Sequence, residues 1–136
     1  MKDLLLSIRT RLRTIEGLRA SDVFLSADKN LVPPGTRYPA VGIKDGRMQR
    51  KFLLGGVTEM ILPVEIHIYE ELGDDDRAII SVFDLTGMVH DLLSEDYFEG
   101  YVKDVEPGEE TPVELLYRKD GMILRKTLFY QYEREN

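Results

Sequence analysis

Residues 57–71 read VTEMILPVEIHIYEE, and their alternation decides the fold. In an extended strand successive side chains point to opposite faces. Met60, Leu62, Val64, Ile66 and Ile68 therefore share one apolar face, and Glu59, Glu65 and His67 share the other. Pro63 interrupts the run and cannot donate to a ladder, which places it at an edge or a bulge. Residues 74–93, DDDRAIISVFDLTGMVHDLL, follow as a helix long enough to cover the apolar face. Asp74, Asp75 and Asp76 suit its N-terminus, where negative charge meets the positive end of the helix dipole. Ile79, Val82, Phe83, Val89, Leu92 and Leu93 give it a broad apolar side. Gly87 in its middle costs helix stability unless close packing requires it. A strand with a helix laid on it is a scaffold, and no reaction centre is built into it.

Toward the N-terminus, Leu5, Ile8, Leu12 and Ile15 recur at spacings of three and four and predict a helix over residues 2–17, with Gly17 as its stop. Lys2, Arg9, Arg11, Arg13 and Arg19 crowd the same segment. They fit best the polar side of an amphipathic helix, with a docking surface for an acidic neighbour as the sharper alternative. Residues 23–25 form a short extended patch. In LVPPGTRYPAVGIKDG, residues 31–46, the three prolines forbid helix, PPG favours a turn, and Pro39 biases Tyr38 toward extended geometry. PAVGIKDG then enters a strand that ends in a turn at Asp45-Gly46. Residues 47–56, RMQRKFLLGG, read as an exposed loop or hairpin with Gly55-Gly56 as a hinge into the long strand. The lysine and hydroxyl of a phosphate loop are missing there, so a nucleotide cradle is excluded.

Beyond the central helix, residues 95–110 are acidic, with YFEGYVKDVEPGEE predicting a short strand and a turn at Pro107-Gly108. Two alternating runs flank Asp120-Gly121, a hairpin signal. Leu124, Leu128, Tyr130 and Tyr132 share one parity in the second run, while Ile123 and Phe129 take the other. Apolar groups on both faces predict a sheet covered once by a helix and once by something else. The expected fold is α+β, a single domain over residues 1–136. It has a mixed or mostly antiparallel sheet, two main helices and a terminal hairpin.

Composition narrows the function. The chain of 136 residues is 43% hydrophobic and 32% charged, an ordinary globular balance. No apolar run approaches the roughly 20 residues that span a bilayer, so no membrane partner is expected. The N-terminal segment lacks the long apolar core of a secretory signal and reads as mature protein. Without cysteine there is no disulfide, thiolate metal site or cysteine nucleophile, which fits a reducing cytoplasm. A net charge of −7 argues against a groove that grips nucleic acid. Glu65 with His67, or His90 with Asp91, would start a metal site, but no further ligands stand at useful spacing. Serines 7, 21, 26, 81 and 94 lack an elbow sequence, and the paired carboxylates sit in turns and at a helix start. No catalytic residue, no metal and no cofactor is expected.

The order of elements resembles the tail terminator proteins of long-tailed bacteriophages and prophages, also called tail completion or minor tail proteins. NLVPPGTRYPAVGIKDG carries most of the likeness, followed by GGVTEMILPVEIHIYEE leading into the second helix. The likeness covers nearly the whole chain and has no catalytic residues to carry over. It implies a homo-oligomer, typically a hexameric ring, that caps the tail tube and offers the surface joined to the head. The implied partners are copies of itself, the tail tube protein and a head-completion or neck protein. DNA would pass through the channel without specific binding. The implied location is the host cytoplasm during assembly and then the virion tail. On this reading contacts are sought at Arg47, Arg50, Lys51, Phe52 and Leu53 in the loop. Tyr97, Phe98, Glu109 and Glu110 in the acidic stretch, and Phe129 and Tyr130 in the hairpin, complete the set. Another neck or baseplate component, or a small-molecule-binding α+β module, are the alternatives.

Overall fold

A computed structural model describes residues 1–73, 75–119 and 121–135. The elements run α1 (Lys2–Leu12), β1 (Val23–Leu25), β2 (Ala40–Asp45), β3 (Gln49–Phe52), β4 (Thr58–Glu71), α2 (Arg77–Leu93), β5 (Asp104–Glu110), β6 (Glu114–Arg118) and β7 (Gly121–Glu135). The strands form one mixed sheet in the order β1-β2-β4-β7-β5, with β3 beside β4 and β6 beside β7. Only β1 and β2 are parallel; the other pairs are antiparallel. The fold is α+β, as the sequence predicts.

The long strand lies at the centre. β4 pairs with β7 along its length, from Glu59 opposite Glu135 to Glu71 opposite Ile123. Leu62, Val64, Ile66 and Ile68 are buried under α1 and α2 together with Leu124, Leu128, Tyr130 and Tyr132 from β7. Pro63 is tolerated in this central strand for a local reason. Its carbonyl accepts from Gly46 N–H at 2.8 Å. In an antiparallel ladder a residue's N–H and C=O point to the same neighbour. The missing donor therefore faces the gap where β2 has ended at Asp45, opposite Val64, and β3 begins at Gln49, opposite Ile61. Gly46 is required at that gap, because a Cβ there would stand 2.7 Å from Pro63 Cβ.

Several expectations shift. The helix predicted over residues 2–17 stops at Leu12. Thr14 then turns the chain, its hydroxyl bonding Arg11 C=O at 2.7 Å, and Ile15 N–H bonds Leu12 C=O. A short polar side chain that competes for a backbone carbonyl in this way ends regular helix. The buried stripe is Leu4, Ile8 and Leu12, with Leu5 only half-buried. α2 ends at Leu93 as predicted but begins at Arg77, with Asp75 and Asp76 before it, and its covered side is Ala78, Val82, Leu85, Thr86, Val89 and Leu93. Ile79 and Phe83, expected inside, face outward with Ile80 and Met88. Apart from its chain neighbours and its own helix backbone, no atom of the described residues comes within 4 Å of where a Gly87 Cβ would stand, so packing among them does not account for that glycine. Pro107 and Gly108 lie inside β5 at an irregularity in its pairing with β7, not at a turn beyond it. Arg118 opposite Gly121 closes the terminal hairpin. Asp74 and Asp120, named above in the helix start and this turn, lie outside the described residues.

The second cover on the sheet is the segment of residues 26–39. A turn at residues 33–36, with Gly35 at φ 80° and Thr36 N–H on Pro33 C=O, folds it back. Val32 packs there with Ala40, Tyr69 and Ile123. His67, which shares its strand face with the charged Glu59 and Glu65, is completely buried beneath this cover.

Candidate interaction surfaces

The expected contact residues separate into those on the surface and those the chain keeps for itself. β3 and the start of β4 form a hairpin arm, with Gln49 opposite Ile61 and Phe52 opposite Thr58. Every residue of β3 is exposed. Gly55 and Gly56, at φ 85° and 79°, make the tip, closed by Leu53 N–H on Val57 C=O at 2.8 Å. These left-handed residues form the turn itself, not a hinge below it. They hold Leu54 at the apex, where it is 100% exposed, with Phe52 86% exposed beside it and Leu53 partly exposed. Arg47, Arg50 and Lys51 stand on the same arm and make no ion pair with any described residue. The arm is thus apolar at its tip and cationic along its stem.

Phe98 and Tyr130 leave the surface set. Phe98, at φ 49°, begins a left-handed run through Glu99 and Gly100 that turns its ring inward, 5.7 Å from the ring of Tyr132. It is 6% exposed. Tyr130 is buried against His90, whose Nδ1 lies 3.1 Å from its hydroxyl, and burial raises its pKa well above the ordinary phenol value. Tyr97 and Phe129 are exposed. Phe129 borders a shallow cavity of about 250 Å³ with Pro63, Glu65 and Gln131, on the part of the sheet that residues 26–39 leave uncovered. Glu109 and Glu110 are exposed on β5, and Glu110 pairs with Lys126 at 3.4 Å.

The sequence reading missed a groove at the far end of the molecule. The chain leaving α1, the first turns of α2 and Pro39 enclose about 400 Å³, with Ile15, Leu18, Ile80, Leu85 and Met88 as its apolar lining. Glu16 and Asp84 stand at its rim without an ion pair among the described residues, and Arg77 beside them is engaged by Asp75 at 3.1 Å. The sequence signal that could have revealed it is the surplus of apolar residues on α2: Ile79, Ile80, Phe83 and Met88 lie outside the side that the sheet covers.

The basic cluster near the N-terminus is largely used within the chain. Arg11 pairs with Asp96 at 2.6 Å, Arg13 bonds the Val23 carbonyl at 3.1 Å, and Arg19 grips Asp22 at 2.7 Å. The Arg19 guanidinium, with the Arg37 N–H, holds the buried Asp22 carboxyl below the usual carboxylate range.

A polar cluster lies beneath residues 26–39. Arg125 is buried and donates to Lys29 C=O at 3.2 Å, Asn30 Oδ1 at 2.6 Å and Glu114 Oε2 at 2.8 Å. His67 Nδ1 lies 2.8 Å from Thr127 Oγ1, and its Nε2 has no hydrogen-bond partner among the described residues. Burial, and then the Arg125 charge, lower the His67 pKa to about 4. Tyr69 O–H donates to Lys29 C=O at 2.6 Å. These bonds tie the cover to the sheet. No group of three or more His, Asp or Glu that could hold a metal occurs among the described residues. No helix among the described residues is long and apolar enough to cross a membrane.

No protein family model matches the sequence, and no curated protein sequence matches it either. By structure, the chain is similar to one in the virion of a native gene transfer agent (GTA) particle. The TM-score is 0.63 over 98% of this chain and 95% of that one, at 13% sequence identity. At that identity the likeness is one of fold.

Proposed function

We propose that this chain is a structural subunit of a phage-like particle, acting as a tail terminator. Copies would form a ring, hexameric by resemblance, that caps the tail tube, ends tail polymerisation and presents the surface for joining the head. Residues 1–136 would act as one such domain, working in the host cytoplasm during assembly and then in the virion tail. The observation that carries this reading is the whole-chain fold likeness to a component of a virion particle. The arm and the groove support it, since both expose apolar surface of the kind that marks interaction sites. A net charge of −7 suits a channel through which DNA slides, because a negative wall repels phosphate. The tail tube protein and a neck protein would meet the two faces of the ring.

The test is light scattering across a concentration series, with negative-stain imaging of the purified protein alone and mixed with isolated tail tubes. Rings in solution or on tube ends are expected. A monomer that leaves tube ends bare would overturn the reading.

A further inference from the structure

We propose that the arm of one copy seats its apolar tip in the α1–α2 groove of the next copy, making a head-to-tail contact. This rests on the preceding reading that the chain assembles with itself. Four observations carry it. The tip offers Phe52 and Leu54, almost fully exposed among the described residues. The groove, about 400 Å³ and lined mainly by Ile80, Leu85, Met88 and Leu18, is an apolar hollow for such a tip. Charge matches as well: Arg47, Arg50 and Lys51 on the arm, and Glu16 and Asp84 at the groove's rim, make no ion pair among the described residues. Such complementarity steers encounter and fixes register.

The fourth observation is placement. The tip extends beyond Thr58, at the start of β4. The groove lies at the other end of that strand, where Ala40, next to Pro39, pairs with Tyr69 and where α2 begins. The 14 residues of β4 span roughly 45 Å at strand rise. The arm therefore cannot reach its own groove, and two different patches must meet between copies. A contact of that kind is heterologous: it closes into a ring when its rotation allows and runs on as a filament when it does not.

The absence of cysteine makes the test clean. Leu54→Cys and Met88→Cys are made separately and oxidised alone, mixed, and combined in one chain. The mixture is expected to give a disulfide-linked dimer at ~1 mM, a concentration at which even a weak contact is populated. The doubly substituted chain is expected to give a covalent ladder. Lys51→Glu with Arg50→Glu should abolish the mixed product, and Glu16→Lys with Asp84→Lys in the partner should restore it. Cross-linking of Leu54→Cys only to itself would show tips packing together and overturn the proposal. Rings seen by imaging without the mixed cross-link would overturn this contact and leave the ring reading standing. Absence of the cross-link together with absence of rings both in solution and on tube ends would overturn the two together.

Discussion

The two faces of the β4–β7 pair are built from the same two strands and differ in almost everything else. Beneath the helices lie Leu62, Val64, Ile66, Ile68, Leu128 and Tyr132, a mainly apolar layer that α1 and α2 meet with their own apolar stripes, with buried Lys126 as its charged member, donating to the Thr111 carbonyl at its margin. On the opposite face, beneath residues 26–39, lie His67, Tyr69, Arg125 and Thr127, each with a polar atom. A helix satisfies its own backbone and so can cover a face with apolar side chains alone. An irregular segment leaves its carbonyls free, and a sheet face that packs under it must supply donors. Arg125 and Tyr69 do this by donating to the carbonyl of Lys29. The character of each face follows from the backbone of its cover.

Perturbing the two faces should give effects of different kinds. The largest belongs to the helix-covered face. Leu62→Ala leaves a cavity in a completely buried site and should cost about 3 kcal/mol, read as a drop in urea midpoint relative to the unsubstituted chain that is the same size at neutral and acidic pH. On the other face the signature is pH. The His67 pKa falls to about 4 in the folded chain, against about 6.5 for an unperturbed histidine. The unfolded chain therefore takes up a proton in that window and the folded chain does not. Stability should be lost as pH falls from about 6.5 toward 4, by up to ~3 kcal/mol, and this contribution should be fully present above that window. His67→Gln should remove that portion of the slope in denaturant titrations, and an unchanged slope would count against it. The smallest effect is expected from Thr127→Val, which deletes the hydroxyl beside His67 Nδ1 at nearly constant volume. It should cost about 1–2 kcal/mol in the same titrations, the penalty for a buried polar group left without a partner. A neutral result would mean that a second partner takes over.

Much of this was legible in the sequence. The alternation of residues 57–71 marks the central strand and its apolar face, and the stretch 74–93 marks α2, which starts at Arg77. Alternation also showed that the terminal strand is apolar on both sides, and Ile123 is indeed covered. Alternation reports parity and not what lies above a face. His67 was grouped with Glu65 by parity, yet the cover that buries it is a segment without periodicity, folded back at residues 33–36. Phe98 and Tyr130 were read as surface aromatics. Burying Phe98 requires the left-handed turn at residues 98–100, and two of those residues, Phe98 and Glu99, are not glycine, so no local signal announces it. The arm was visible as a cationic, apolar stretch ending in two glycines. The groove was not, because it is assembled from residues that follow α1, the start of α2 and Pro39, far apart in the chain.

The position of β7 has a consequence for how the molecule comes into being. This strand joins β4, β5 and β6 into one sheet, and it is the last of the seven in chain order. Its pairing of Glu59 with Glu135 crosses more than half of the 136 residues. Until residues 121–135 are available, β4 carries an open edge and an apolar face only partly covered. Synthesis therefore delivers the adhesive half of the sheet first and its seal last, and pairing over so long a separation is slow compared with local helix formation. In that interval a chain with an unsealed β4 would be most vulnerable to joining another like itself.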